Sequence, residues 1–388
     1  MKTIKLGSLI TISKGKKHTV SEVPSPQSVR MLGIDDLRND TLIRMTDDKD
    51  GVLACDDDVL IAWDGANAGT IGYWKRGYIG STISRLRLHD TSKFYAPFIG
   101  RFLQSNFSYL RKTATGATIP HINRHALERI PVPVFVYEDQ IRIATLLSKV
   151  ENLISRRREQ LKQLDELLKS VFLEMFGDPV RNEKGWETVL FSKILKDIES
   201  GWSPVCEARA ASPSEWGVLK LGAITSCVFK DGENKALFPD VLPKAKNEVH
   251  VGDLLFSRKN TYDLVAACVY VFDTRAKLMI SDLIFRFVFN DDAAVNPMYI
   301  WNLLINDSQR KKIQSYAGGA AGSMPNISKA NLKNIVIPLP PLELQNQFSK
   351  IVEKIESIKS HYQQSLTALE NLYSVLSQKG FKGELDLL

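Results

Sequence analysis

The positions with the most suggestive chemistry are two histidines four residues apart and two glycine-rich segments. His121 and His125 have the i, i+4 spacing of zinc ligands on a helix, but the intervening Ile-Asn-Arg lacks the glutamate of an H-E-x-x-H site. Segments 65–72 and 318–322 match neither the dinucleotide-binding fingerprint nor the P-loop, which requires G-K-[S/T]. The sequence therefore predicts no metal site. The glycines indicate either tight turns or loops in which the backbone approaches a phosphate.

Other catalytic patterns do not emerge from the sequence either. An amino-methyltransferase needs a [D/N/S]-P-P-[Y/F/W] loop, but the Pro-Pro pair at 340–341 lies between two leucines. The cysteines are scattered without a C-x-x-C pair, which is typical of reduced thiols in the cytosol. No Ser-His-Asp or Cys-His arrangement suggests itself. We therefore expect a non-catalytic chain that binds no cofactor of its own.

The composition favours a polyanionic partner. The formal net charge is +7 and the isoelectric point is about 9.0, and Lys and Arg gain free energy by releasing counterions from phosphates. Polar and aromatic loop residues can reach base edges and phosphates, so we take such residues as candidate DNA contacts. In the first half of the chain these are Lys14, Lys16, Lys17, His18, Trp63, Asp64, Asn67, Thr115, Thr118, His121, Asn123 and Arg124. In the second half they are Trp202, Ser203, Arg209, Arg258, Lys259, Asn260, Tyr262, Ser323, Asn326, Ser328 and Lys329.

Each of these candidates has a competing interpretation. For any lysine the alternative is a solvated surface role, and for Trp63 and Trp202 it is packing in the core. Arg258 and Lys259 end a β-like run, so we expect them to project from a sheet edge, where either could bind a guanine or a phosphate. The three arginines at 156–158 predict a contact with spacer phosphates, a solvated helix face or a contact with a partner subunit.

An internal duplication organises the chain that must position these residues. Segment 120–133 resembles segment 325–338, and a residue in the first copy corresponds without gaps to the residue 205 positions later. Matching residues in this register are Ile122 and Ile327, Leu127 and Leu332, Ile130 and Ile335, Pro133 and Pro338, Gln140 and Gln345, and Phe176 and Phe381. Upstream the offset drifts, as expected if loops differ in length between two copies of one fold. The period is too long for a solenoid, so we infer a duplicated domain.

The front part of each copy has the pattern of an α+β domain. Short β-like runs bounded by turns occur at 59–63, 70–74, 83–88, 254–256, 266–272 and 283–289. Short helices are predicted to follow at 96–110 and 297–313.

The back part of each copy is predicted to be a long helix. Apolar residues recur in steps of four and three at 143, 147, 150, 154, 161, 164, 168, 171 and 175, and Arg157 interrupts them. The same register in the second copy includes Phe348, Val352, Ile355, Lys359, Tyr362, Leu366, Leu369, Tyr373 and Leu376. Neither helix can bury its seam alone, so we expect an antiparallel pair. A helix of roughly 35 residues would form a rigid spacer of about 50 Å.

The duplicated I-P-x-P-x-x-x-x-Q segment, followed by a long leucine-rich helix, resembles the specificity subunits of type I restriction-modification systems. In the second copy it reads Ile-Pro-Leu-Pro-Pro-Leu-Glu-Leu-Gln at 337–345, and Gln-Lys-Gly-Phe-Lys-Gly-Glu at 378–384 is also similar to this family. Segments 58–72 and 201–206 resemble parts of its target recognition domains. The first copy has Pro-Val-Pro at 131–133 and lacks the Pro-Pro pair, but its register continues unbroken.

The resemblance implies an α+β fold with two tandem pseudo-symmetric target recognition domains, each a mixed small β-sheet with short helices, separated by two long antiparallel coiled-coil helices. The expected division is 1–135 for the first recognition domain, 136–180 for the first spacer helix, 181–338 for the second domain and 339–388 for the second helix. Each domain would read one half of a bipartite, asymmetric DNA site, and the helices would set the spacer.

The resemblance also implies the partners. These are double-stranded DNA, two modification subunits that carry S-adenosylmethionine and methylate adenine, and restriction subunits that add ATP- and Mg-dependent translocation and cleavage. No apolar run suggests a membrane span and no export signal is visible at the N-terminus, so we expect a cytoplasmic location. Two alternatives stay open: a coiled-coil scaffold with two protein-binding domains, and a specificity subunit whose partner fuses methylation with cleavage.

Overall fold

The computed structural model describes residues 2–39, 42–116, 118–318 and 324–386. Within it the chain forms two compact units. Unit 1 contains Met1–Arg158 and Gln364–Leu388, and unit 2 contains Glu159–Gln363. These boundaries fall inside the two long helices, whereas the sequence-based division separated the helices from the front domains at their ends. Each helix therefore contributes one part to each unit.

Unit 1 contains three small sheets among its described residues. Their strands are β1 (Thr3–Lys5), β2 (Ile10–Lys14), β3 (Val29–Leu32), β4 (Arg44–Thr46), β5 (Leu53–Ala54), β6 (Asp58–Ala62), β7 (Ile71–Tyr73), β8 (Gly77–Ile79), β9 (Ile83–Leu88) and β10 (Pro131–Pro133). The strand orders are β2-β9-β6-β7, β4-β3-β8-β5 and β1-β10, and β3 and β8 run parallel. All five residues of β6 are buried between β9 and β7, which explains why this strand reads as an apolar run rather than an alternating one.

Unit 2 repeats this arrangement. Its strands are β11 (Thr188–Leu190), β12 (Leu195–Ser200), β13 (Gly217–Leu219), β14 (Asn234–Ala236), β15 (Leu254–Ser257), β16 (Cys268–Tyr270), β17 (Leu278–Met279), β18 (Ile284–Phe289) and β19 (Val336–Pro338). The orders β12-β18-β15-β16 and β11-β19 correspond to β2-β9-β6-β7 and β1-β10 of unit 1. The third sheet is β14-β13-β17, one described strand fewer than in unit 1. The predicted duplication is thus confirmed in the sheet topology.

The described helices fall into short and long classes. They are α1 (Ala96–Ser105), α2 (Phe107–Lys112), α3 (Arg124–Glu128), α4 (Tyr137–Phe176), α5 (Phe191–Ile194), α6 (Pro297–Ile305), α7 (Asp307–Gln314), α8 (Lys329–Lys333) and α9 (Leu342–Lys382). Within the described ranges, none combines the length and hydropathy needed to cross a bilayer.

The single short helix predicted in each copy is wrong, because the structure divides it into two. The breaks fall at Asn106 and Asn306. The Asn106 side chain donates to the carbonyl of Phe102 at 2.8 Å, and Asn306 accepts a 3.1 Å hydrogen bond from Ser308 N as the cap of α7. Asparagine side chains compete with the helix for backbone partners, and this favours helix ends over helix interiors.

The long helices bury the predicted heptad seam, and all of the predicted seam positions are buried or half-buried. In unit 1, Glu151 accepts a 2.7 Å hydrogen bond from Tyr373, and Arg158 forms a 2.6 Å ion pair with Glu370. The partner number falls along α9 as the residue number rises along α4, so the helices are antiparallel within this unit.

The same direction holds in unit 2. Asp165 of α4 lies 2.8 Å from the Lys359 ammonium of α9, and the rings of Phe172 and Phe348 are 5.6 Å apart. Lys359 occupies a seam position and also contacts Glu356 at 2.7 Å. Burial by itself would lower the pKa of Lys359, but the two carboxylates outweigh it and raise that pKa. A polar residue in an otherwise apolar seam restricts the register in which two helices can pair.

One glutamine in each unit ties the start of a long helix to the front domain. Gln140 is fully buried, accepts from the amide of Tyr95 at 3.0 Å, and donates to the carbonyls of Lys93 at 2.8 Å and Phe135 at 3.1 Å. The side chain thus joins the loop that enters α1 to the turn that starts α4.

Gln345 makes the equivalent three bonds in unit 2. It accepts from the amide of Asn296 at 2.8 Å and donates to the carbonyls of Ala294 at 3.2 Å and Pro340 at 2.7 Å. These glutamines follow the matching residues Pro133 and Pro338 by seven positions in both copies, so the structure gives that shared spacing a physical role.

We expect Gln345→Ala to lower the free energy of unfolding by about 1–3 kcal/mol, because it leaves backbone groups at Asn296, Ala294 and Pro340 without their partner. Gln347→Ala is the matched control, since Gln347 is exposed on the same helix. Differential scanning calorimetry of the two variants checks this, and equal melting temperatures would contradict it.

Candidate DNA interface

In each unit three loops meet at the end of a central strand. In unit 1 the amide of Trp63 donates to Thr82 O at 2.7 Å, and the carbonyl of Trp63 accepts from Ile122 N at 2.9 Å. The loop just after β6 is thereby held between the start of β9 and the loop before α3. An isolated bridge pairs Asp64 with His121 in the same place.

Unit 2 builds the same junction from equivalent backbone bonds. The amide of Arg258 donates to Leu283 O at 3.1 Å, and its carbonyl accepts from Ile327 N at 2.8 Å. A bridge pairs Lys259 with Asn326, as Asp64 pairs with His121. Trp63 therefore corresponds to Arg258, Asp64 to Lys259 and His121 to Asn326.

The third loop of each unit follows the first strand of a four-stranded sheet, β2 in unit 1 and β12 in unit 2. Lys14 pairs with Ser84 across β2 and β9, and Ser200 pairs with Phe285 across β12 and β18. We call Lys14, Trp63, Asp64 and His121 junction 1, and Ser200, Arg258, Lys259 and Asn326 junction 2. The two junctions share a backbone frame but differ in every side chain.

Junction 1 is centred on a carboxylate. Asp64 Oδ2 lies 2.8 Å from Lys14 Nζ, and Asp64 Oδ1 lies 2.6 Å from His121 Nδ1. Burial by itself would raise the pKa of Asp64, but the hydrogen bonds from Lys14 and His121 outweigh it, and the pKa lies below its ordinary value of 3.8. Both carboxylate oxygens are engaged, so the groups that junction 1 presents outward are the half-exposed Lys14 and His121 side chains.

Junction 2 is centred on a guanidinium. Arg258 Nε donates to Asn326 Oδ1 at 3.1 Å, and the guanidinium carbon lies 5.0 Å from the centre of the buried Phe285 ring. The ammonium of Lys329 lies 5.7 Å from the same ring. Among the described residues, no carboxylate lies within 4.0 Å of the charged groups of Arg258, Lys259 or Lys329. Positive charge in junction 2 is therefore less compensated than in junction 1.

The loops that follow β2 and β12 carry further candidates. Lys16 lies 2.5 Å from Asp50, whereas the His18 ring is buried, stacks on Tyr78 with centroids 5.3 Å apart, and lies 3.0 Å from Asp48. The His18 side chain therefore has a packing role, and Lys17 is left exposed beside it.

Trp202 holds the position of Lys16 in the second copy, since their amides bond to Ile280 O and Ile79 O. It packs against the small core of Val218, Leu237 and Met279, and Lys244 lies 4.4 Å from its ring centre. Ser203 and Asp282 are hydrogen-bonded to each other. Trp63 also packs against the core of its unit, so both tryptophans have the packing role weighed as the alternative.

Several other candidates have local structural roles. Asn123 and Ser328 cap α3 and α8 by accepting from Ala126 N and Asn331 N, both at 3.1 Å. Asn67 accepts from Arg38 at 2.7 Å. Arg124 pairs with Glu128. Arg209 lies between Glu207 and Glu215, at 2.9 and 2.7 Å, and these carboxylates raise its pKa.

The remaining candidates lie near the junctions and make fewer side-chain contacts. Asn260 is buried and accepts from Thr261 N at 2.9 Å, whereas Tyr262 is 60% exposed. Thr115 and Thr118 are exposed, and Thr115 exchanges backbone hydrogen bonds with His121 at 2.9 and 2.7 Å. Ser323 lies outside the described residues. Phe285, Lys244 and Asp282 contact candidates but were not selected from the sequence, because no local pattern distinguishes them from other strand and loop residues.

Searched over its described part, the chain shows no cluster of three or more His, Cys, Asp or Glu suited to a metal ion.

The chain is thus a duplicated α+β protein with one similar loop junction in each unit. A family model described as the type I restriction modification DNA specificity domain matches residues 1–164 and 235–371. Because this match covers well over half of the chain, the chain belongs to that family.

Individual relatives agree with this assignment. The chain is 36% identical over 191 residues to the type I restriction enzyme EcoEI specificity subunit of Escherichia coli, covering 47% of this chain and 32% of that protein. It is 25% identical over 386 residues to the type I restriction enzyme MjaVIII specificity subunit of Methanocaldococcus jannaschii, covering 92% and 86%. The chain thus spans about a third of the first relative and most of the second. The crystal structure of the type I S subunit from M. genitalium has 15% identity and a TM-score of 0.62 over 98% of this chain and 96% of that one, which shows a shared fold.

We expect Asp64→Asn to lower the free energy of unfolding near neutral pH by up to about 1 kcal/mol, since Lys14 and His121 lose an ionic partner. The pKa of Asp64 is lowered in the folded state, so its stabilisation is present above about pH 3.8 and is lost as the pH falls through the folded pKa. Urea unfolding from pH 7 to pH 3 should show the stability difference between the two proteins narrowing as the pH falls. Asp57→Asn, at an exposed carboxylate of the same unit, should follow the wild type throughout; a D64N difference that is as large at pH 3 as at pH 7 would contradict the assignment.

Proposed function

We propose that this chain reads a bipartite, asymmetric DNA site, with one half-site contacted by each recognition domain, and that it does so without catalysing a reaction itself. One observation carries the proposal. Junctions 1 and 2 have the same backbone hydrogen bonds but present Lys14 and His121 in one unit and Arg258, Lys259 and Asn326 in the other. A shared frame with different side chains suits two readers that face different base sequences.

The long helices are proposed to set the separation of the half-sites. Each is one continuous element, of 40 residues for α4 and 41 for α9, and each contributes to both units. At 1.5 Å per residue such a helix is about 60 Å long. The antiparallel pairing within each unit, with Lys359 in the seam, favours a single register and hence a fixed spacer length.

Catalysis is proposed to reside in partner subunits. Two modification subunits would carry S-adenosylmethionine and methylate adenine in the recognised site, and restriction subunits would contribute ATP- and Mg-dependent translocation and cleavage. Membership of the specificity family supports this division. Assembly and action are proposed to take place in the cytoplasm.

The experiment that tests the proposal is adenine-methylation mapping, by long-read sequencing, in cells that express this chain with its modification subunit. We expect a bipartite motif with a fixed gap, which disappears in a strain lacking only this chain. A methylation pattern that does not depend on the chain would overturn the proposal and favour a scaffold.

We further expect exchange of residues 1–135 for the front domain of another family member to change one half of the motif and to leave the other half and the gap unaltered. The reason is that junction 1 is built within this segment, whereas junction 2 is built from residues 200–326. The same mapping measures both halves at once. A change in both halves would show that the two domains do not read independently.

A further inference from the structure

Arg258 is the most restrained cation of the two junctions. Its backbone is fixed on both sides, by Leu283 O at 3.1 Å and Ile327 N at 2.8 Å. Its side chain is fixed at Nε by Asn326 Oδ1 at 3.1 Å, and its guanidinium lies over the Phe285 ring. A long side chain that is already held in place loses less conformational entropy on binding than a free one does.

No hydrogen bond to a described residue occupies the far side of the guanidinium. Among the described residues, the side-chain hydrogen bond of Arg258 uses Nε, and neither terminal nitrogen bonds to a described group. Two parallel N–H donors at the end of a fixed arm match the O6 and N7 acceptors on the major-groove edge of guanine. The residue lies directly after β15, at the meeting point of the three loops, where a base edge could approach.

We propose that Arg258 recognises a guanine in the half-site contacted by unit 2, donating from its two terminal nitrogens to O6 and N7. This inference rests on the proposed function and names one base contact within it. Lys259 and Lys329, which flank Arg258 without a carboxylate among their described neighbours, serve the phosphates on either side.

The arrangement favours a base over a phosphate for Arg258. A phosphate contact requires positive charge but tolerates many directions of approach, and the two neighbouring lysines supply that charge. The bond to Asn326 and the Phe285 ring fix the direction of the guanidinium, and direction matters for a bidentate base contact.

Unit 1 does not contain an equivalent arginine held over an aromatic ring. Trp63 takes the place of Arg258, and Ser84 takes the place of Phe285, since Ile61 pairs with Ser84 as Phe256 pairs with Phe285. The guanine contact is therefore assigned to one half-site, and it contributes to the asymmetry of the whole site.

The test compares Arg258→Lys and Arg258→Ala with Lys259→Ala in the complex of this chain with its modification subunit. The half-site of unit 2 is first assigned by the exchange of residues 1–135. Binding is then measured by competition among duplexes in which each base pair of that half-site is substituted in turn. For both Arg258 variants we expect the preference for guanine at one position to fall roughly tenfold or more, with other positions unchanged. Arg258→Lys keeps the charge, so a loss of preference in this variant reports the bidentate geometry.

Lys259→Ala is expected to weaken binding to all duplexes alike and to preserve every base preference. Melting temperatures of the variant complexes establish that they are folded. An unaltered guanine preference in Arg258→Lys and Arg258→Ala, a uniform loss of binding in both, or a wild-type motif without guanine in this half-site would each overturn the inference. Failure of the proposed function is a separate result, because the wild-type chain would then direct no bipartite motif.

Discussion

The structure depends on a buried amide that joins each long helix to its front domain. Gln140 and Gln345 are fully buried, and each bonds to three backbone groups. A front domain could attach at many exposed positions of a helix. A buried amide, however, stabilises the structure only when all of its hydrogen-bonding partners are in place. These bonds therefore fix the angle at which α1 and α6 leave their loops relative to α4 and α9.

Between the fixed helix and the loops lies a sheet whose backbone is nearly the same in the two units. The two junctions therefore have the same backbone arrangement, because their defining hydrogen bonds join backbone groups and do not require particular side chains. Side chains at the junctions can therefore differ without loss of the frame. Asp64 and Lys259 have opposite charges in the same place, which a frame held by side-chain contacts would not tolerate.

Charge compensation separates the two junctions. In unit 1 the cations Lys14 and Lys16 have carboxylate partners, Asp64 and Asp50. In unit 2 the described partners of the Arg258 guanidinium are an amide and an aromatic ring instead of a carboxylate. A ring and an amide orient a guanidinium while leaving its charge in place. Positive charge at junction 2 is therefore less compensated than at junction 1.

The sequence by itself determined the duplication, six of the described strands (β6, β7, β9, β15, β16 and β18) and the two long helices with their seam. These features follow from periodicity and from a register of 205 residues, both of which are local or repetitive properties of the chain. It also identified Gln140 and Gln345 as matching positions, but not their buried bonds. The breaks at Asn106 and Asn306 were missed, because whether an asparagine caps a helix or sits within it depends on its tertiary surroundings.

Only the tertiary structure decided which candidates meet. Trp63 and Arg258 are 195 positions apart rather than 205, since loop lengths differ between the copies, and only the matching backbone bonds reveal their equivalence. His18 was indistinguishable from its exposed neighbour Lys17 until the Tyr78 ring was seen to cover it. The periodicity of the sequence predicts individual helices and strands. Contacts between loops that are distant in sequence form when the sheet brings the ends of its strands together, and no local sequence pattern predicts those contacts.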